Sequence, residues 1–211
     1  MRRFLSAIVA VALAAASLPA PAQSADTANI TAFTVENVSS IITEAGGTKI
    51  EVNKEADVTF INFELGGHTY SYSIRTCDIA PEVPGCLGLL MAIGFGMESP
   101  YSLETFNGFN QVFPLVTAVK IDSKTLAFGR YVFSAGGLTR NNIAANMGLV
   151  IGAPQAFASY LKSQVIASGA PGNANLSLAG AATQLRPVKL TRAQVRGLLD
   201  DTIVRSNLQL R

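Results

Sequence analysis

Residues 57–74 read DVTFINFELGGHTYSYSI, and this stretch decides the fold. Two runs rich in β-branched and aromatic residues, 57–65 and 68–74, flank a Gly-Gly pair. Two such runs joined by Gly-Gly are typical of a β-hairpin. In the second run Tyr70 and Tyr72 alternate with serines, so one side of the strand is aromatic and the other hydroxylic. The pattern predicts a hairpin whose second strand is half buried.

The two cysteines of the chain, Cys77 and Cys86, follow this hairpin directly. The eight residues between them, DIAPEVPG, include two prolines and a glycine and can turn the chain back. A Cys-x-x-Cys redox motif is absent, and a four-ligand zinc site would need carboxylates because His68 is the single histidine. In an oxidising compartment the spacing predicts a disulfide, worth about 2.5–3 kcal/mol on a loop-entropy model. The alternative is two unrelated buried thiols.

The N-terminus indicates the compartment. Residues 1–22, MRRFLSAIVAVALAAASLPAPA, combine two arginines, an uncharged apolar run and small residues before the expected cleavage site. This is the pattern of a secretory signal peptide, and the apolar run is shorter than the roughly 20 residues of a membrane-spanning helix. We predict cleavage after Ala22, or alternatively after Ala25, by the general secretory route, and a periplasmic or secreted mature protein. An uncleaved anchor and a twin-arginine signal are the alternatives.

The charge balance argues against a nucleic-acid partner. The whole chain carries a formal charge of +2. Removing the leader takes away two arginines and no acid, which leaves a mature chain without net charge. Such a chain has no basic stripe for phosphate contacts. No second long apolar segment follows the leader, so we expect no membrane span after cleavage.

The remaining elements follow from hydrophobic periodicity and from capping residues. Thr34 is expected to cap the first helix, Ser99 and Pro100 to start the second, and the last helix to break near residues 152–154. The predicted helices are 35–45, 101–113 and 139–165, and the further predicted strands are 48–53, 87–95 as a central strand, 115–121 and 126–133.

The second helix carries the one unusual polar pair. Its phenylalanines 106, 109 and 113 share one side and are predicted to pack on the sheet. Asn107 and Asn110 lie beside them. They could orient a ligand, or they could bond backbone where the helix meets the sheet, because asparagine is a poor mid-helix residue without a local partner.

No catalytic constellation is recognisable in the chain. His68 is alone on an aromatic strand side, and Asp200 and Asp201 are adjacent on a predicted helix, so they point in different directions. We therefore expect no catalytic residues, no metal site and no cofactor, and a protein that is not an enzyme.

The composition changes near residue 167. Residues 167–187 are small, polar and glycine-rich and are predicted to be a flexible linker. Residues 188–211 are predicted to form an amphipathic C-terminal helix, opened by a capping box of Thr191 and Gln194. This helix could pack back on the domain or reach out to a partner.

The order of several short motifs resembles the YbjN-domain family. These are CLGLL at 86–90, FNGFN at 106–110 and GGLTR at 136–140, set between a first helix, three strands and a last helix. The resemblance implies a YbjN-like domain over residues 32–166. It implies an α+β fold, an antiparallel sheet with helices packed mainly on one face, similar to type III secretion chaperones. Members are described as sensory-transduction regulators, and proteins of this fold bind partner polypeptides.

Three functions remain open at this point. The first is a non-enzymatic periplasmic regulatory or chaperone-like module that binds a polypeptide partner. The second is a structural envelope protein that self-associates through its sheet or its C-terminal helix. The third is a small-molecule binder or enzyme with a pocket near Asn107, Asn110 and His68. The candidate partner-binding or ligand-binding residues are Asn107, Asn110, Tyr70 and Tyr72.

Overall fold

A computed structural model describes residues 29–55, 58–77, 85–97, 101–167 and 185–198, so the predicted signal peptide lies outside the described residues. The strands within these ranges are β1 (Asn29–Ile30), β2 (Thr48–Glu55), β3 (Val58–Leu65), β4 (His68–Cys77), β5 (Cys86–Met97), β6 (Thr117–Lys120), β7 (Thr125–Phe133), β8 (Leu138–Thr139) and β9 (Leu185–Val188). The helices are α1 (Val35–Glu44), α2 (Leu103–Val112) and α3 (Arg140–Ala167), followed by a short helix at 192–198 that we call the tail helix.

The main sheet is antiparallel in every described pairing. Its strand order is β2-β3-β4-β5-β7-β6, and β9 pairs with β5 beside this path. The predicted hairpin is β3–β4, in which Leu65 pairs with His68 and both turn glycines have positive φ, +58° and +80°. That conformation is open to glycine without steric strain. An α+β fold built on an antiparallel sheet is thus confirmed, with β5 as the central strand.

The first face of the sheet, which we define as the side covered by α1, α2 and α3, holds the larger core. Thr34 caps α1 as predicted, because its side chain accepts from the backbone N–H of Asn37 and the Asn37 side chain accepts in return. Phe106 and Phe109 of α2 are buried on this face. The ring of Phe109 meets that of Phe157 at 5.2 Å and that of Phe128 at 6.1 Å, so aromatic packing joins both helices to the sheet.

The second face, which we define as the side covered by the tail helix, holds a separate smaller core. Its apolar residues come from β3, β5, β6, β7 and the tail: Val58, Phe60, Leu90, Ala92, Val119, Ala127, Leu190, Val195 and Leu198. The prediction that β4 is half buried is therefore wrong. Ser71 and Ser73 lie on this second face and are also buried, at 2% and 0% exposure, because the tail folds back over them.

Two predicted boundaries differ from the structure. Leu185–Val188 form β9 and pair with Gly94–Met97 of β5. Composition places residues 185–187 in the predicted linker and Val188 in the predicted C-terminal helix. β4 pairs with β5 only as far as Ile93. β9 therefore pairs with the remaining part of β5, along the same side of β5 as β4. Residues 168–184 of the predicted linker and 199–211 of the predicted C-terminal helix lie outside the described residues.

The helices α2 and α3 also differ in detail from their predictions. α2 begins at Leu103 with Ser102 as its cap, whereas the predicted start at Ser99 and Pro100 falls partly outside the described residues. α3 continues unbroken through Pro154. Proline removes one backbone donor and favours a kink, but packing of α3 against the sheet outweighs that local preference.

The sulfurs of Cys77 and Cys86 are bonded, which fits the predicted disulfide. The two cysteines pair across β4 and β5. The backbone of Cys86 also exchanges two hydrogen bonds with Phe33, at 2.6 and 3.0 Å. The disulfide region thus ties the segment before α1 to the central strand. None of the described helices combines the length and the apolar character that a bilayer crossing requires.

Candidate functional site

The side chain of Asn110 binds the backbone at the edge of the sheet. Its side-chain amide donates to the carbonyl oxygen of Ala118 at 3.0 Å, and its oxygen accepts from the Ala118 N–H at 2.8 Å. Of the two sequence interpretations, the structure therefore shows the one in which this asparagine bonds backbone where helix meets sheet.

The geometry of β6 explains what this contact does. The Ile121 N–H donates to the carbonyl of Thr125 on the β7 side. Because hydrogen-bonding direction alternates along an antiparallel strand, Ala118 and Lys120 present their backbone groups outward. β6 is the last strand in the sheet order, so Asn110 occupies the outer edge of β6 at Ala118, where another strand could otherwise pair.

The other residues of the sequence-predicted pocket do not gather around Asn110. Asn107 is exposed on α2. The ring of His68 packs 5.9 Å from that of Phe95, which in turn lies 5.9 Å from Phe128. Phenylalanine rings thus occupy the region between His68 and α2, and the structure assembles no shared pocket from Asn107, Asn110 and His68.

Tyr70 and Tyr72 are core residues of the first face. Their exposures are 1% and 0%, and burial raises the pKa of both phenols. They lie on β4, which β5 and β7 separate from β6. At about 4.8 Å per strand this places them about 14 Å from the Asn110 contact. They offer no surface to a partner in the folded chain.

A cleft of about 450 Å³ lies between β6 and the tail helix. We define the cleft by its lining residues: Val119, Lys120, Ile121, Ala193, Gln194, Gly197 and Leu198. Its volume falls within the range of about 300–1,000 Å³ found for ligand sites. A Cβ atom built at Gly197 would meet no atom within 4 Å, so the small residues of the tail helix leave this space open.

The polar groups near the cleft are partly engaged within the chain. The Lys120 ammonium donates to the carbonyl of Tyr101 at 3.3 Å. Asp122 accepts from the Lys124 N–H at 2.8 Å, and that bond lowers the pKa of its carboxyl. Gln194 reaches the same carboxylate at 3.4 Å. The cleft therefore combines apolar walls with a short polar rim.

The opposite margin of the tail carries ion pairs to β2. Lys189 lies 2.9 Å from Glu51, whose carboxyl pKa is lowered mainly by that hydrogen bond. Arg192 and Arg196 both pair with Glu55. Three basic side chains of the tail thus meet two carboxylates of the edge strand, all of them at least partly exposed.

Sequence reasoning missed the cleft, because its two walls are more than 70 residues apart in the chain. The available indication was that Ala193 and Gly197, four residues apart on a predicted helix, place two small side chains on one side. Across the described ranges, no group of three or more His, Cys, Asp or Glu side chains is arranged to hold a metal ion.

Comparison with known proteins identifies no family for this chain and finds only weak similarity to a solved structure. No protein-family model matches the chain, and no curated protein is significantly similar to it. A solved structure described as an uncharacterized protein from Methanothermobacter thermautotrophicus is similar at 13% identity and a TM-score of 0.43. The match covers 61% of this chain and 96% of that one.

Proposed function

We propose that the mature protein is a non-enzymatic periplasmic module that binds a segment of a partner polypeptide in the cleft. The observation that carries this proposal is the cleft itself. It is open, it measures about 450 Å³, and its apolar walls come from a sheet edge and a helix. A groove between a strand and a helix suits an inserted apolar side chain of a peptide.

Side-chain insertion is favoured over strand addition because both outer strands are poor templates for pairing. Asn110 occupies the outer edge of β6. At the opposite margin, the pairing of β2 with β3 shifts register between Thr48 and Glu51, and Lys49 has a φ of +51°. Irregular and charged edges resist the addition of another strand.

The compartment belongs to the same proposal. A bond between Cys77 and Cys86 is stable in an oxidising envelope and is uncommon in the cytosol, which agrees with the predicted leader. The resemblance to the YbjN-domain family, with its chaperone-like fold, supports a regulatory or chaperone-like role rather than catalysis.

A peptide-display selection on the purified mature protein tests the proposal. Gly197→Leu should fill the cleft. Gly148→Leu is the matched control, because it replaces another helical glycine at which a Cβ atom would meet no atom within 4 Å. We expect selected peptides to bind the wild-type and Gly148→Leu proteins and to lose at least tenfold in affinity on Gly197→Leu. Equal binding to both variants would refute the cleft as the site.

A further inference from the structure

The surface beneath the tail has the features of a receptor for a polypeptide segment. We infer that this groove, formed by the second face and by Glu51 and Glu55 of β2, is a binding surface that the chain's own tail occupies. A partner carrying a basic amphipathic helix competes with the tail for it. This inference goes beyond the proposed function, because such a partner takes the place of the tail helix, which forms one wall of the cleft. It names a second binding surface and the class of partner that fits it.

The sheet is shaped to receive the tail. A Cβ built at Gly94 would lie 2.4 Å from the Cδ2 atom of Leu190, so the missing side chain makes a notch that Leu190 fills. Gly94 and Gly96 pair with Val188 and Arg186 of β9. The tail therefore binds by a short added strand followed by a helix in an apolar groove, and both are recurrent modes of peptide recognition.

The tail helix can leave this groove without losing its own N-terminal cap. It is capped from within, because Gln194 Oε1 accepts from the Thr191 N–H at 2.9 Å and Thr191 Oγ1 accepts from the Gln194 N–H at 3.3 Å. Pro187 of β9 has no N–H to lose. The ion pairs to β2 are at least partly exposed, so water can solvate their charges when the tail leaves.

Charge selects the competitor. The carboxylates of Glu51 and Glu55 lie at the margin of the groove. They form ion pairs with Lys189, Arg192 and Arg196 of the tail. A partner helix with apolar residues spaced like Val195 and Leu198 and with basic residues on one flank reproduces these contacts. An acidic helix would meet like charges at the same margin.

A fluorescent peptide with the sequence of residues 185–211 is the probe, and the target is the complete mature protein. Replacing Arg192→Glu and Arg196→Glu in the protein loosens its own tail and leaves the groove intact. We expect the peptide to bind this double variant at least tenfold more tightly than the wild-type protein, with an affinity that falls as salt rises. Equal binding to the two proteins, or no binding to the double variant, overturns the inference.

A charge swap distinguishes groove binding from non-specific attraction. Adding Glu55→Lys to the double variant restores opposite charges between the tail and β2, so the tail should return to the groove. The natural peptide should then bind at least tenfold more weakly than it binds the double variant. The free energy of unfolding of the triple variant should rise above that of the double variant, which shows that the loss of binding is re-docking and not unfolding. Equal peptide binding to the double and triple variants overturns the inference. If display-selected peptides still distinguish Gly197→Leu from Gly148→Leu, the proposed function stands and only the competition is lost.

Discussion

Truncating Phe109 to alanine should remove the largest single contribution of α2 to the core of the first face. The side chain is 1% exposed. Its ring lies within 5.2 to 6.1 Å of the rings of Phe113, Phe128, Phe157 and Tyr160. Buried Phe→Ala substitutions cost about 3–5 kcal/mol, and aromatic pairs add about 0.5–1.5 kcal/mol beyond their area. We therefore expect a loss near the upper end, about 4–5 kcal/mol.

Urea unfolding of the oxidised mature protein measures this loss. With a slope of about 2 kcal/mol per molar urea, the midpoint should fall by about 2 M. Val112→Ala is the matched control on the same helix, because Val112 is 67% exposed and should change stability by no more than about 0.5 kcal/mol. A loss below about 1 kcal/mol for Phe109→Ala, or equal losses for both variants, would refute the packing of α2 on the sheet.

Three further predictions follow from named contacts. Asn110→Ala should lower the free energy of unfolding by about 1–3 kcal/mol, because the backbone groups of Ala118 lose their partner. It should also promote self-association, which gel filtration detects as the protein concentration rises. Asn107→Ala, on the exposed side of α2, should have neither effect. Thiol labelling of the denatured, unreduced mature protein should find no free cysteine, and two labelled thiols would contradict the disulfide. Docking of the tail should weaken as pH falls through the lowered carboxyl pKa of Glu51. Its bond to Lys189 requires the ionised form, so this contribution is fully present above the ordinary carboxyl range and is lost on protonation. NMR shifts of the tail-helix methyl groups should follow this loss, and methyl shifts that stay unchanged while the Glu51 carboxyl itself titrates would contradict it.

Elements that local patterns specify could be predicted from the sequence. The Gly-Gly hairpin, the cap of α1 at Thr34 and the central strand each follow from residues that are near neighbours in the chain. These features depend on turn conformation, on capping and on a run of apolar residues. The bond between Cys77 and Cys86 likewise joins residues a short distance apart.

Features that depend on contacts between distant segments could not be predicted. The alternation of Tyr70 and Tyr72 with serines correctly indicates two different strand sides. It does not reveal that the tail covers the hydroxylic side. Gly94 reads locally as a small residue in an apolar strand, and its role as a notch for Leu190 depends on a segment almost 100 residues later. For the same reason the pattern could not show that Tyr70 and Tyr72 are inaccessible to a partner.

Site-specific photocrosslinking in intact cells tests the central claim most directly. A photoreactive amino acid placed at position 193 lies in the cleft, and one placed at position 148 on α3 serves as the control. The account predicts a discrete polypeptide adduct from position 193 that is absent from position 148 and is lost when Gly197→Leu is added. No adduct from position 193, or the same adducts from both positions, would contradict the proposal that the cleft binds a polypeptide partner.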